Sequence, residues 1–138
     1  MADEETFHAH IIFSTKGWQS LITPSLLSDI IARLSRNFRI RDAELLIANG
    51  LNEHLHILAR FRDYQSFSRI VGWSKGECSH WLNHKYPNLG FYWQKGFWYE
   101  KVSQDHVSDV ITYIEQQLSI HEGKTFIEEI TDFKRGQK

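Results

Sequence analysis

The sequence predicts one α+β domain, a split βαβ unit with an antiparallel sheet, helices on one face and a further helix after it. Three observations predict this. The hydrophobic period switches between two and about 3.6 residues in the order β-α-β-β-α-β. A length of 138 residues leaves room for one core. A composition of 41% hydrophobic residues with only 8 Gly and 2 Pro can fill that core.

The elements follow in order. Phe7, Ala9, Ile11 and Phe13 alternate with His8, His10, Ile12 and Ser14, which predicts a strand over Phe7 to Thr15. The segment KGWQSLI is a connector. Thr23 before Pro24 is a helix cap with proline at the first helical position, and Leu26, Leu27, Ile30, Ile31 and Leu34 follow at helical spacing. Ala43 to Ala48 is a short strand, Asn49-Gly50 the expected turn, and Glu53 to Phe61 the next strand. Gln65 to Lys85 reads as a helix despite Gly72 and Gly76, with Pro87 at its exit. A strand lies in FYWQKGFWYEKV, interrupted at Gly96; a helix runs from Gln104 to about Ser119, and a short one is expected over Thr125 to Phe133. This order is that of a ferredoxin-like domain. It spans residues 1–138, with a core over 6–120 and a tail over 121–138.

Bulk properties narrow the function classes. No apolar run approaches the roughly 20 residues a bilayer requires. The start, MADEETFHAH, lacks the basic and apolar regions of a signal peptide. A lone cysteine, Cys78, forms no internal disulfide and no multi-cysteine zinc site. The expected compartment is therefore the cytoplasm, with no membrane partner. The formal net charge of −1 gives no overall attraction to nucleic acid; a local basic groove would have to supply it.

Eight histidines are many for this length. In NEHLHILARF, alternation puts His54, His56, Leu58 and Arg60 on one sheet face and Leu55, Ile57, Ala59 and Phe61 on the core face. Residues two apart on a strand are separated by roughly 6.5–7 Å, so both imidazoles can converge on one ion. Two surface histidines on a sheet face would give the same pattern. On the late helix, Val107, Val110, Ile111, Ile114 and Leu118 form an apolar arc. Tyr113 falls about 115° from its centre, beside Gln117 one turn on. A tyrosine at the edge of an amphipathic helix fits that placement equally well.

From HIIFSTKGWQSLI, through NGLNEHLHI and FYWQKGFWYEKVSQDHVSDVITYIEQQ, to HEGKTFIEEI, the chain resembles transposases of the insertion-sequence 200/605 type, the single-tyrosine HUH transposases. Their paired histidines match His54-Leu55-His56, and their tyrosine with a glutamine four residues later matches Tyr113 and Gln117. The resemblance implies a homodimer that cuts and rejoins single-stranded DNA hairpin ends, with no small-molecule substrate. It implies His54, His56 and Gln117 as ligands of Mg2+ or Mn2+, and Tyr113 as the nucleophile that forms a 5′-phosphotyrosine. Where the family has proline and aspartate before the first histidine, this chain has Asn52 and Glu53. Glu53 keeps the charge on a longer side chain and is a candidate support for the pair. His10 stands where relatives often carry histidine, and in a ferredoxin-like sheet its strand neighbours that of the pair. It would touch the site or a phosphate, or serve as a structural histidine. His8 is expected to be exposed.

Lys16, Arg60, Arg62, Lys75 and Lys95 are candidates to track a DNA backbone, and Trp18 and Trp93 to stack on bases. Scattered solvated charges and core aromatics are the plainer alternatives. Two rival functions follow. One is an inactive or domesticated protein of the same fold that binds DNA hairpins without cutting them. The other is an RNA-binding module, which would need aromatic motifs where the strand Glu53 to Phe61 offers histidines.

Overall fold

The computed structural model describes residues 6–116. Within them the order is β1 (Phe7–Ser14), α1 (Pro24–Ile40), β2 (Glu44–Leu51), β3 (His54–Phe61), α2 (Tyr64–Lys85), β4 (Trp98–Val102) and α3 (Val107–Glu115). The strands form one antiparallel sheet in the order β2-β3-β1-β4. This is the ferredoxin-like split βαβ topology. The expected helix over Thr125 to Phe133, the tail and Gln117 all lie outside the described residues.

Helices α1 and α2 start where their cap chemistry places them. The Thr23 hydroxyl accepts from the Leu26 amide at 3.2 Å, and Pro24 fills the first turn without needing a partner for an N–H. The Asp63 carboxylate accepts from the Ser66 amide at 2.9 Å, which opens α2 and holds its pKa below the ordinary value. Helix α2 continues unbroken through Gly72 and Gly76.

Register decides what the sheet buries. Phe7 pairs with Phe61, Ala9 with Ala59, Ile11 with Ile57 and Phe13 with Leu55. These residues share one face, which packs on Leu26, Ile30, Leu34 and Phe38 of α1 and Phe67, Val71, Cys78 and Leu82 of α2. Burial pushes the Cys78 thiol up to about 12, so it behaves as an apolar core group. Between the helices, Arg33 grips Glu77 through two nitrogens, Nε to Oε1 at 2.9 Å, and Asn37 donates to the same carboxylate at 2.8 Å. The opposite face carries α3, seated by Ile114 on Leu58 and Val102.

Two expectations are corrected. Asn49-Gly50 is not the turn: β2 runs through both residues and pairs Asn49 with His56 and Gly50 with Leu55. The chain reverses at Asn52-Glu53, with Asn52 at φ +60°, a left-handed conformation that asparagine tolerates. Gly50 is required instead by crowding, since a Cβ there would stand 2.4 Å from the His54 carbonyl oxygen. Trp93 is not a stacking platform. It is 9% exposed and packs edge-on against Phe13 and Phe91 in the core.

Candidate functional site

The sheet face away from α1 and α2 is built in rows. Antiparallel pairing aligns Trp98, Ile12, His56 and Asn49 in one row across β4, β1, β3 and β2. The next row towards the hairpin is Ser14 and His54, and the next away from it is Glu100, His10 and Leu58. The period-two alternation that buries Ile57 and Leu55 therefore delivers His54 and His56 to this face together with His10. All three imidazoles are buried, and the rings of His54 and His56 lie 5.1 Å apart.

Carboxylates and a third ring stand beside the Nδ1 atoms. His54 Nδ1 is 3.3 Å from the Glu53 carboxylate. His56 Nδ1 is 2.9 Å from His10 Nε2, and His10 Nδ1 is 3.5 Å from a carboxylate oxygen of Glu100. A neutral imidazole that donates its Nδ1–H carries its lone pair on Nε2, the nitrogen a metal can take.

Tyr113 reaches this group from above. Its ring centroid lies 5.7 Å from that of His10 and 5.7 Å from that of His56, edge-on to both, within one chain. The ring packs against the small cluster of Leu58, Val102 and Ile114. Asn49, which sequence reasoning had read as a turn residue, fixes the end of α3: its Nδ2 donates to the Ile114 carbonyl at 3.1 Å. Glu100 was also missed, because nothing in its own strand announces that it sits opposite His10.

The residues here fit a divalent cation. Two neighbouring buried imidazoles, one with its Nδ1 hydrogen-bonded to a third, are a suitable donor set. Ser14 Oγ, in the row of His54, is buried with no hydrogen-bond partner among the described residues, a polar atom for which a further group would account. Among the described residues no cluster of three or more His, Cys, Asp or Glu could hold a metal, so two histidines alone are an incomplete set. The expected third donor, Gln117, falls outside them.

The basic candidates separate into three groups. Lys16, Trp18 and Lys95 lie at the His54 end of the sheet, exposed, with Trp18 and Lys95 lining a cleft of about 620 Å³ that Trp98 also borders. Arg60 stands on the histidine face at the other end of β3, paired with Glu44 at 2.6 Å, and Arg62 is 4.0 Å from Asp42. Lys75 is not presented to solvent at all. It is 7% exposed, its ammonium donates to the carbonyls of Gln94 (2.9 Å) and Gly96, and burial lowers its pKa to about 8. It ties the segment before β4 to α2. His8 is half-buried, and desolvation lowers its pKa, with the Arg60 charge adding to the effect.

No helix among the described residues is long and apolar enough to cross a membrane. Comparison with solved structures finds the same fold twice over. A Deinococcus radiodurans R1 protein assigned as a transposase superposes with a TM-score of 0.64 at 18% identity, over 81% of this chain and 91% of its own. A REP-associated tyrosine transposase bound to a REP hairpin gives 0.59 at 16% identity, over 96% of this chain and 82% of its own. No curated protein matches the sequence. The family described as IS200-like transposases matches residues 4–117. With most of its length inside that match, the chain belongs to the IS200-like transposase family.

Proposed function

We propose that this protein cuts and rejoins single-stranded DNA at hairpin ends in the cytoplasm, with Tyr113 as the nucleophile and His54, His56 and Gln117 as ligands of Mg2+ or Mn2+. The observation that carries the reading is the approach of the Tyr113 ring to His10 and His56, 5.7 Å from each. The placement of Tyr113 beside buried imidazoles supports a working role for its phenol. The REP hairpin held by one fold neighbour supports a hairpin partner for this chain.

The chemistry divides between side chains. Tyr113 Oη attacks the scissile phosphorus; the phenolic proton is lost to water. The bond from phosphorus to the 3′-oxygen breaks, the departing oxygen takes a proton from water, and a 5′-phosphotyrosine and a 3′-hydroxyl remain; attack by another 3′-hydroxyl, which gives up its proton, reverses the step. A phenol with a pKa of about 10 is a poor nucleophile at neutral pH. His54, His56 and Gln117 would hold a divalent cation, which when bound would supply charge withdrawal from the phosphate. Asn49 and Leu58 hold α3 so that the phenol stays at the imidazoles, and Glu53 orients His54. Lys16, Lys95 and Trp18 lie where a strand leaving the site at the His54 end would pass. A homodimer, in which two such sites act on the two ends of one element, completes the reading.

Tyr113→Phe is the decisive variant. It is expected to abolish the covalent adduct with a labelled single-stranded hairpin while hairpin affinity stays within about twofold, a change worth under 0.5 kcal/mol. An adduct formed by the phenylalanine variant would remove Tyr113 from its role. Hairpin binding by the wild-type protein without any cleavage, with Mg2+ or Mn2+ present, would favour the non-cutting hairpin binder instead.

A further inference from the structure

Behind His56 the structure places a carboxylate that acts at one remove. Glu100 on β4 and His10 on β1 are direct cross-strand partners, and Glu100 Oε1 lies 3.5 Å from His10 Nδ1. His10 Nε2 in turn lies 2.9 Å from His56 Nδ1. His10 and His56 are fully enclosed, whereas the Glu100 side chain is 30% exposed. The chain of contacts thus runs from a partly solvated carboxylate, through one buried imidazole, to another.

The hydrogen bond between two imidazoles has no inherent direction, because either ring can donate. A carboxylate removes the ambiguity. It only accepts, so a neutral His10 beside it carries its proton on Nδ1 and its lone pair on Nε2. His56 must then donate from Nδ1, which leaves the lone pair of His56 on Nε2. If the direction were reversed, His56 would carry a proton on Nε2 and could not ligate through that atom.

We propose that Glu100 is a positioning residue that sets, through His10, the tautomer in which His56 can bind a divalent cation. The inference rests on His56 being a ligand, and it deepens that reading with two residues that touch neither the cation nor DNA. It also explains why a histidine on β1 lies buried beside the pair: a hydrophobic residue there would leave His56 Nδ1 without this partner.

The discriminating variant is Glu100→Gln. Glutamine keeps the shape and can still hydrogen-bond His10 Nδ1, but as donor or acceptor alike, so it preserves the contact and loses the direction. Two measurements on the purified full chain test the proposal. Long-range 1H–15N NMR of the metal-free protein is expected to show His56 as the Nδ1–H tautomer in the wild type and as a mixture in Glu100→Gln. Titration with Mn2+ alone, followed by calorimetry, is expected to show affinity falling about tenfold in Glu100→Gln and up to about 100-fold in His10→Gln, the range for loss of a ligand's hydrogen-bond partner. Melting temperatures serve to confirm that both variants fold.

If both variants keep His56 as the Nδ1–H tautomer and bind Mn2+ as the wild type does, the relay is overturned. Failure of the underlying metal reading looks different: His56→Ala would then bind Mn2+ as tightly as the wild type. The NMR measurement needs no metal, so it judges the direction-setting by Glu100 in either case.

Discussion

One added methyl group at Gly50 would put a Cβ 2.4 Å from the His54 carbonyl oxygen, 2.9 Å from the Leu55 Cα and 3.2 Å from a Leu55 methyl. Two of these three atoms are backbone, so no rotamer change relieves the contact. The closest distance falls about 1 Å short of ordinary van der Waals separation, which begins at 3.4 Å. Strands β2 and β3 would have to separate at the point where Gly50 pairs with Leu55. Overpacking typically costs about 1–3 kcal/mol, and a clash against backbone belongs at the top of that range. We expect Gly50→Ala to lose about 3 kcal/mol, read as a lower urea midpoint with an unchanged slope. For a domain of this size that corresponds to a melting temperature lower by about 10 °C. An alanine variant within about 0.5 kcal/mol of the wild type, the range of ordinary surface changes, would refute the reasoning.

Gly72 makes the opposite case: nothing lies within 4 Å of a Cβ added there, in the middle of α2, so Gly72→Ala should stabilise the protein by about 0.5–1 kcal/mol in the same urea measurement. The Arg33 guanidinium holds the Glu77 carboxyl below its ordinary value of 4.5, so the pair contributes fully above that pH and is lost as the pH falls through the depressed value. Glu77→Gln should therefore cost about 1–2 kcal/mol at neutral pH, with the gap to wild type closing below about pH 4 in urea unfolding; a gap independent of pH would show that charge is not the cause. Asn49→Ala removes the bond to the Ile114 carbonyl, worth about 1 kcal/mol. Amide exchange across α3 should then quicken about fivefold, while amides of α1 change less.

The strand bearing His54 and His56 was legible because alternation is a local property: four apolar residues on one side of β3 fix where the other four point. The caps at Thr23 and the continuous α2 were legible for the same reason. What escaped the sequence depends on pairing between strands. Asn49-Gly50 has the local chemistry of a tight turn, yet β3 pairs alongside both residues, and the reversal moves to Asn52. Lys75 looks like any surface lysine until the segment before β4 folds over it and offers two carbonyls. Trp93 and Trp18 read alike in sequence, but only the bridge from Trp93 to Thr15 draws one of them inward. Glu100 needed the register of β4 against β1 before it could be connected with a histidine ninety residues earlier in the chain.

The attachment of α3 has a consequence of its own. No described side chain of α3 enters the large core that α1 and α2 share with the sheet; the helix packs through Ile114, a few flanking apolar groups, the contacts of Tyr113 with His10 and His56, and the Asn49 bond. Undocking it would uncover that small cluster and the histidine face, without touching the packing of α1 and α2 on the other face. Every copy of the chain offers an identical seat, so the seat itself does not distinguish its own helix from a neighbour's. In a dimer, the short segment at Ser103–His106 would compete with the local concentration of the other copy for which helix occupies it.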